Sequence, residues 1–172
     1  MCRCVPVNFN VSPMQVRGPV TRVGKEAERV LRSLPAWFGI EESLLEYASN
    51  ADVLPTFVAQ DSSGSIVGFL SLREHFASSW EIDAVAVQAG FRGHGIGKAL
   101  LEHAESWLRS RGAAFLQVKT LAAVHPSKEY AETRRFYESV GFQPFEVMPM
   151  LWGKGLPVLI YVKNVGGQGH EG

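Results

Sequence analysis

A strand, a glycine-rich turn and a helix follow one another over residues 81–101, and this stretch most constrains what the chain can fold into. Its first part is apolar and β-branched, which is typical of a strand. Gly93, Gly95 and Gly97 then alternate with other residues, and apolar residues recur at helical spacing from Ile96 onward. The first N–H groups of a helix lack intrahelical partners and its dipole favours negative charge there, so the turn predicts an anion site.

Two positive residues flank the glycines and make a diphosphate the expected ligand: Arg92 and Lys98. A Walker A loop is excluded, because Arg92 and Ala99 stand where that motif needs a glycine and a Ser or Thr. The dinucleotide fingerprint also fails, because Lys98 replaces its third glycine. A glycine-rich turn that binds nothing, or that binds another phosphate ligand, stays open at this point.

Periodicity along the rest of the chain predicts alternating strands and helices. The expected strands are Met14–Val20, Thr56–Gln60, Ser65–Glu74, Ser79–Val87, Phe115–Leu121, Phe142–Val147 and Pro157–Lys163. The expected helices are a face formed by Ala27, Val30, Leu31 and Leu34, then Glu41–Ser49, Gly95–Ser110 and Tyr130–Val140. Antiparallel strands followed by βα units predict an α/β (α+β) fold with one mixed, mostly antiparallel central sheet and helices on both faces.

Length and charge place the chain among soluble single-domain proteins. The 172 residues suffice for one core, and we expect an N-terminal extension over 1–13, a domain over 14–163 and a disordered tail over 164–172. Lys plus Arg and Asp plus Glu balance at 17 each, which argues against a general nucleic-acid or membrane surface. Without a bilayer-length apolar run or a signal-peptide pattern, a cytoplasmic location is expected. Cys2 and Cys4 lack a partner cluster, so no metal is expected.

A second motif gives the glycine loop a family context. Residues 133–142 read TRRFYESVGF, and Arg92 to Gly97 read R-x-x-G-x-G. Residues 92–97 resemble the acyl-CoA pyrophosphate loop of the GNAT superfamily of N-acetyltransferases. Residues 133–142 resemble the GNAT helix that ends in F-Y-x-x-x-G-F. The resemblance covers about residues 14 to 163 and implies the GNAT fold, with acetyl-CoA as co-substrate and direct acetyl transfer to a primary amine. One departure is Tyr130, which stands where many GNAT enzymes carry an asparagine that contacts CoA.

The resemblance implies positions for the cofactor. The backbone of the fourth strand is expected to bind the acyl-pantetheine arm, and one of its N–H groups to polarise the thioester carbonyl. The glycine loop is expected to bind the diphosphate, with His94 contributing its backbone rather than its imidazole. The cofactor residues are therefore Val85, Ala86, Val87, Arg92, Gly93, His94, Gly95, Ile96, Gly97, Lys98, Thr133 and Phe136.

Catalytic roles are implied for Tyr137 and Glu81. Tyr137 matches the family tyrosine that protonates the departing thiolate, and a phenol with a pKa near 10 is protonated at neutral pH; a purely structural aromatic is the alternative. Glu81 stands where some GNAT enzymes place a general base. Strand alternation predicts one face for Glu81, Asp83, Val85 and Val87, and two neighbouring carboxylates should raise one pKa. Alternatively, these carboxylates bind a cationic acceptor or form a solvated strand end.

The acceptor site is expected to involve Asp83 and the aromatic residues Trp37, Phe38 and Trp152, which could equally be ordinary core residues. The partner is a small-molecule or peptide amine of unassigned identity, and the protein is expected to be a monomer or homodimer. A non-catalytic CoA-binding module with the GNAT fold, acting as a sensor or interaction partner, is the alternative function.

Overall fold

The computed structural model describes residues 14–167. Its strands are β1 (Gln15–Val20), β2 (Thr56–Gln60), β3 (Ile66–Phe76), β4 (Ser79–Val87), β5 (Phe115–Leu121), β6 (Gln143–Met148) and β7 (Val158–Asn164). Its helices are α1 (Gly24–Arg32), α2 (Glu41–Val53), α3 (Ile96–Ser110) and α4 (Lys128–Ser139). The predicted element order is confirmed, and α2 runs four residues beyond its predicted end at Ser49.

The seven strands form one sheet in the order β1-β2-β3-β4-β5-β7-β6. Only β4 and β5 pair in parallel, and the other neighbours are antiparallel. The α3 helix connects the parallel pair, as the βα pattern requires. The predicted mixed, mostly antiparallel sheet is therefore confirmed.

Two hydrophobic clusters cover the two faces of the sheet. On one face, α1 and α2 bury residues such as Val30, Leu31 and Leu44 against β2, β3 and β4. On the other face, α3 buries Leu100 and Leu108, and the same cluster includes residues of α4, β5 and β7. The helical periodicity read from the sequence is explained by these apolar stripes, each of which faces the sheet.

A β-bulge interrupts β4 next to the site. Ser71 pairs with Ala84 and Leu72 pairs with Ile82, so that Asp83 has no partner residue on β3. An extra residue in one strand reverses the inward and outward alternation beyond it. The side chains of β4 that face one given side of the sheet therefore have even numbers before Asp83 and odd numbers after it.

The predicted common face for Glu81, Asp83, Val85 and Val87 is wrong for this reason. Ile82 packs in the α3 cluster, and Val85 and Val87 also pack against that cluster. Glu81 contacts Lys119, and Asp83 reaches Asn50 of α2, on the opposite face. The two carboxylates thus share a face with each other but not with the two valines.

The ends of the described chain bear on the expected boundaries. Asn164 ends β7, and Val165 is 2% exposed within the α3 cluster, so the packed domain continues past residue 163. The predicted extension over residues 1–13, and residues 168–172 of the tail predicted over 164–172, lie outside the described residues. Between residues 14 and 167, no helix combines the length and apolarity needed to cross a bilayer.

Candidate active site

The site begins where β4 and β5 separate. Their parallel pairing covers only Ser79–Phe115, Trp80–Leu116 and Glu81–Gln117. Beyond these pairs β4 follows β3 as far as Val87, while β5 follows β7 as far as Leu121. A cleft of about 420 Å³ opens between the two strands and continues to the first turn of α3 and the inner side of α4.

The edge of β4 offers unpaired main-chain groups to this cleft. The N–H group of Gln88 donates to the carbonyl of Val67 on β3. Since N–H groups alternate in direction along a strand, those of Val85 and Val87 point away from β3. They face the cleft, where β5 is no longer paired with β4. An extended ligand with amide groups can bind there, and a carbonyl can be polarised.

The glycine loop forms the other end of the cleft. Gly93 and Gly95 have φ of +79° and +78°, in the left-handed region that favours glycine, and a Cβ at either position would meet no atom within 4 Å. Gly95 is the N-cap of α3, and the N–H group of Ala99 makes the bond to its carbonyl. The N–H groups of the preceding turn are therefore free of intrahelical bonds, as an anion site requires.

The remaining loop residues divide into three kinds. Arg92 and Lys98 line the cleft and bring positive charge to it. Gly97 also lines it, but a Cβ there would lie 3.3 Å from the Phe136 ring, so this glycine allows α3 and α4 to approach closely. The His94 ring lies outside the cleft lining, with Nδ1 3.3 Å from the carbonyl of Phe91, which leaves only its backbone near the loop.

A set of contacts around Trp37 connects the α1–α2 loop with α4, and we call it the Trp37 bridge. The guanidinium of Arg92 stacks 4.3 Å from the Trp37 ring centroid, and Arg92 Nη2 lies 3.5 Å from a Glu132 oxygen. Trp37 Nε1 donates to Thr133 Oγ1 at 3.1 Å, and the Tyr130 hydroxyl donates to the Trp37 carbonyl at 3.1 Å. Tyr130 thus uses its hydroxyl within the protein rather than keeping it free for a ligand.

Tyr137 lies in the wall formed by α4. Its side chain is buried, its ring packs against Phe136, Phe142 and Tyr161, and it borders the cleft. Burial raises the pKa of the Tyr137 hydroxyl well above its ordinary value of 10, because the phenolate would lose its hydration. The hydroxyl therefore stays protonated across the neutral range and can donate a proton.

Glu81 lies in a polar cluster beside the last β4–β5 pair. Lys119 Nζ contacts both carboxylate oxygens at 2.7 Å, His75 Nε2 lies 2.6 Å from Oε2, and Gln117 Nε2 donates to Oε2 at 3.2 Å. Burial alone would raise the pKa of Glu81, but the hydrogen bonds from Lys119 and His75 outweigh it and lower the pKa below its ordinary value.

Of the two carboxylates for which at least one raised pKa was expected, Glu81 therefore has a lowered pKa. A neighbouring cation, rather than a second carboxylate, dominates the surroundings of Glu81, and Lys119 rather than Glu81 borders the cleft.

Asp83, which the bulge displaces, has a different set of partners. Arg73 donates to Oδ1 from both Nε and Nη2, at 3.1 and 2.7 Å, and Asn50 Nδ2 lies 3.1 Å from Oδ2. Asp83 borders the cleft together with Tyr47 of α2. Desolvation, followed by the nearby charge of Asp83, raises the pKa of Tyr47 to about 12, so this phenol also remains a donor.

The aromatic residues expected at the acceptor site, Trp37, Phe38 and Trp152, all border the cleft. Phe38 packs edge-on against Tyr47 with ring centroids 6.0 Å apart. Sequence reasoning missed other lining residues, among them Tyr47 of α2, Ile82 of β4, Lys119 and Thr120 of β5, and Glu132 of α4. Period-two alternation on β5 could have grouped Thr120 with buried Val118, but no motif marks the other four.

Comparisons with known proteins identify the family and the fold. Residues 53–144 match the family model described as the acetyltransferase (GNAT) domain. Because the match covers more than half of the chain, the chain belongs to the GNAT acetyltransferase family.

Two relatives and one solved structure show how far the likeness extends. A streptothricin acetyltransferase of Streptomyces lavendulae is 38% identical over 65 residues, which cover 36% of this chain and 33% of the relative. A mycothiol acetyltransferase of Beutenbergia cavernae is 31% identical over 90 residues, which cover 52% of this chain and 28% of the relative. The matched segments thus span about a third of these relatives' length. The structure of an aminoglycoside 6'-N-acetyltransferase complexed with coenzyme A superposes with a TM-score of 0.71 at 19% identity, covering 90% of this chain and 99% of that one, which shows a shared fold.

Proposed function

We propose that the protein is an acetyl-CoA-dependent N-acetyltransferase that transfers an acetyl group directly to a primary amine. The observation that carries this proposal is the cleft between β4 and β5, which has a helix N-terminus with a glycine loop at one end and a buried, protonated tyrosine in its wall. Family membership and the coenzyme A in a structural neighbour support acetyl-CoA as the co-substrate. The loop then binds the diphosphate, and the open edge of β4 binds the pantetheine arm.

The chemistry follows from the groups that border the cleft. The amine lone pair attacks the thioester carbonyl, whose oxygen gains negative charge and is stabilised by an N–H group of the β4 edge. The new C–N bond forms, the C–S bond breaks, and the thiolate takes the proton of the Tyr137 hydroxyl. The phenolate is reprotonated after the product leaves. No covalent enzyme intermediate is needed.

The proton that the amine loses requires an acceptor. Glu81 is ionised and lies behind Lys119 rather than in the wall of the cleft, so we assign it the role of a base that acts through water. Asp83 and the aromatic residues at the same end contact the acceptor, since Asp83 Oδ2 has only Asn50 as a partner among the described residues and can accept a bond from an ammonium group.

A direct assay tests this function. The purified chain is incubated with acetyl-CoA and a panel of amines that includes polyamines, aminoglycosides, streptothricin-type antibiotics, mycothiol-type amino sugars and peptide N-termini, and free thiol release is followed. We expect turnover with at least one class, which the Tyr137→Phe variant performs far more slowly. Tight acetyl-CoA binding without turnover over the whole panel would support the alternative, a CoA-binding module without catalysis.

A further inference from the structure

Thr120 of β5 borders the cleft, and its hydroxyl is buried without a partner among the described residues. Thr120 is 2% exposed, and its Oγ1 makes no hydrogen bond with any residue between 14 and 167. Most buried polar groups in native proteins are satisfied, because an unpaired group loses its bonds to water without replacement. A hydroxyl left unpaired in the wall of a binding cleft indicates a group whose partner is a ligand.

The position of Thr120 favours one part of the ligand. It alternates with Leu116 and Val118, which lie in the α3 cluster, so it faces the side of the sheet on which Tyr137 is buried. It follows the last β4–β5 pair, at Gln117, by three residues, which is about 10 Å along the strand. Thr120 therefore lies about level with the middle of the unpaired part of β4, before that strand ends at Val87 and leads into the glycine loop.

We propose that Thr120 is a binding residue for the acyl-pantetheine end of acetyl-CoA. The proposal rests on the proposed function, since it takes acetyl-CoA as the ligand. The hydroxyl donates to a carbonyl oxygen of this arm and helps to hold the thioester beside Tyr137. Without the ligand the hydroxyl has no protein partner among residues 14–167, so this position favours affinity over stability of the free protein.

This role predicts that removing the hydroxyl raises the stability of the free protein and lowers its affinity for acetyl-CoA. Valine has nearly the shape of threonine but no hydroxyl that needs a hydrogen-bond partner. Replacing Thr120 by valine should therefore stabilise the free protein. The matched control is Thr56 on β2, which is equally buried but has its hydroxyl 2.8 Å from Ser71 Oγ and 3.0 Å from the carbonyl of Leu54. Thr56→Val breaks existing hydrogen bonds and should therefore destabilise the protein without touching the cleft.

The experiment measures melting temperature and binding for the parent, Thr120→Val, Thr120→Ser and Thr56→Val. Without ligand, we expect Thr120→Val to melt about 2–4 °C above the parent and Thr56→Val to melt below it. Thr120→Val should bind acetyl-CoA roughly 3- to 10-fold more weakly, whereas Thr120→Ser retains the hydroxyl and most of the affinity. Affinity for 3′-phospho-ADP, which has the diphosphate but lacks the arm, should be unchanged in Thr120→Val.

The other possible outcomes distinguish failure of the proposed function from failure of the role proposed for Thr120. If the parent fails to bind acetyl-CoA, the proposed function is wrong, and this inference fails with it. If the parent binds and Thr120→Val binds equally well, only the role of Thr120 is overturned. A fall in the melting temperature of Thr120→Val as large as that of Thr56→Val would show a structural partner for the hydroxyl and would also overturn the inference.

Discussion

At the glycine-loop end of the cleft, the groups available to a ligand come from one continuous segment, residues 92–98: the main-chain N–H groups at the start of α3 and the cationic side chains of Arg92 and Lys98. At the acceptor end they are side chains from the α1–α2 loop, α2, β4 and the loop between β6 and β7. A main-chain site depends on dihedral angles that glycine permits, and it recognises a ligand common to a whole family. A site made of side chains from separate elements changes with each substitution, so under the proposed function it would determine which amine binds.

Tyr137 lies in the wall of the same cleft, and its substitution should have the largest effect. Tyr137→Phe keeps the ring in its packing against Phe136, Phe142 and Tyr161 but removes the proton for the thiolate. We expect kcat to fall about 10²- to 10⁴-fold while acetyl-CoA affinity stays nearly unchanged. Pre-steady-state rates separate the chemical step from product release. Parent-level rates with chemistry limiting would make this tyrosine a structural residue.

Ligand binding at the glycine-loop end of the cleft should be sensitive to one added side chain. Gly95→Asp introduces strain at φ +78° and a negative charge where a diphosphate approaches, so we expect acetyl-CoA affinity to fall roughly 10²-fold in calorimetry. Gly112→Asp is the matched control, because Gly112 has φ +77°, equally open surroundings and a place beyond the other end of α3. Equal losses in both variants would show that strain alone is responsible.

The polar cluster at the strand separation predicts a dependence of stability on acid. The pKa of Glu81 is lower in the folded protein than in the unfolded chain, so the unfolded state binds more protons as the pH falls. The stability that Glu81 contributes is present above pH about 4.5 and lost as the pH falls through the folded pKa. Denaturant titrations at several pH values should therefore show a shallower loss of stability at acid pH in Glu81→Gln than in the parent. Parallel curves for the two proteins would contradict this account.

Substitution of Trp37 should give the smallest effect. It tests most directly whether the Trp37 bridge belongs to the cofactor end or to the acceptor end of the cleft. Trp37→Phe removes the indole N–H group and weakens the stack on Arg92, so we expect KM for the amine to rise roughly 3- to 10-fold with a smaller change for acetyl-CoA. Trp107→Phe is the control, since Arg111 stacks 4.7 Å from the Trp107 ring centroid on α3, and Trp107 is absent from the cleft lining. A larger change for acetyl-CoA would assign the bridge to the cofactor end.

The sequence predicted the elements and the loop because both depend on local signals. The apolar stripe of α3 and the turn through Gly93 and Gly95 are set by residues within one short segment. The bulge at Asp83 depends on how β4 pairs with β3, and the partner of Glu81 is Lys119, 38 residues away on β5. Such features arise from tertiary pairing, which periodicity does not encode.

The same limit applies to the Trp37 bridge. Trp37 and Thr133 are separated by 96 residues along the chain, and no motif links them. The family resemblance marked Tyr130 only as a departure and gave it no contact with CoA, and the hydrogen bond from Tyr130 to the Trp37 carbonyl became visible only in three dimensions.

The early end of the β4–β5 pairing has a consequence for the dynamics of the sheet. A ladder that stops at Glu81 and Gln117 leaves a seam in the middle of a seven-stranded sheet, where amide hydrogens of Val85 and Val87 can exchange with solvent. A ligand whose amides fill that seam would act as an eighth strand and join two half-sheets into one cooperative unit. Slower hydrogen exchange would then spread from β4 to β5, well beyond the atoms that touch the ligand.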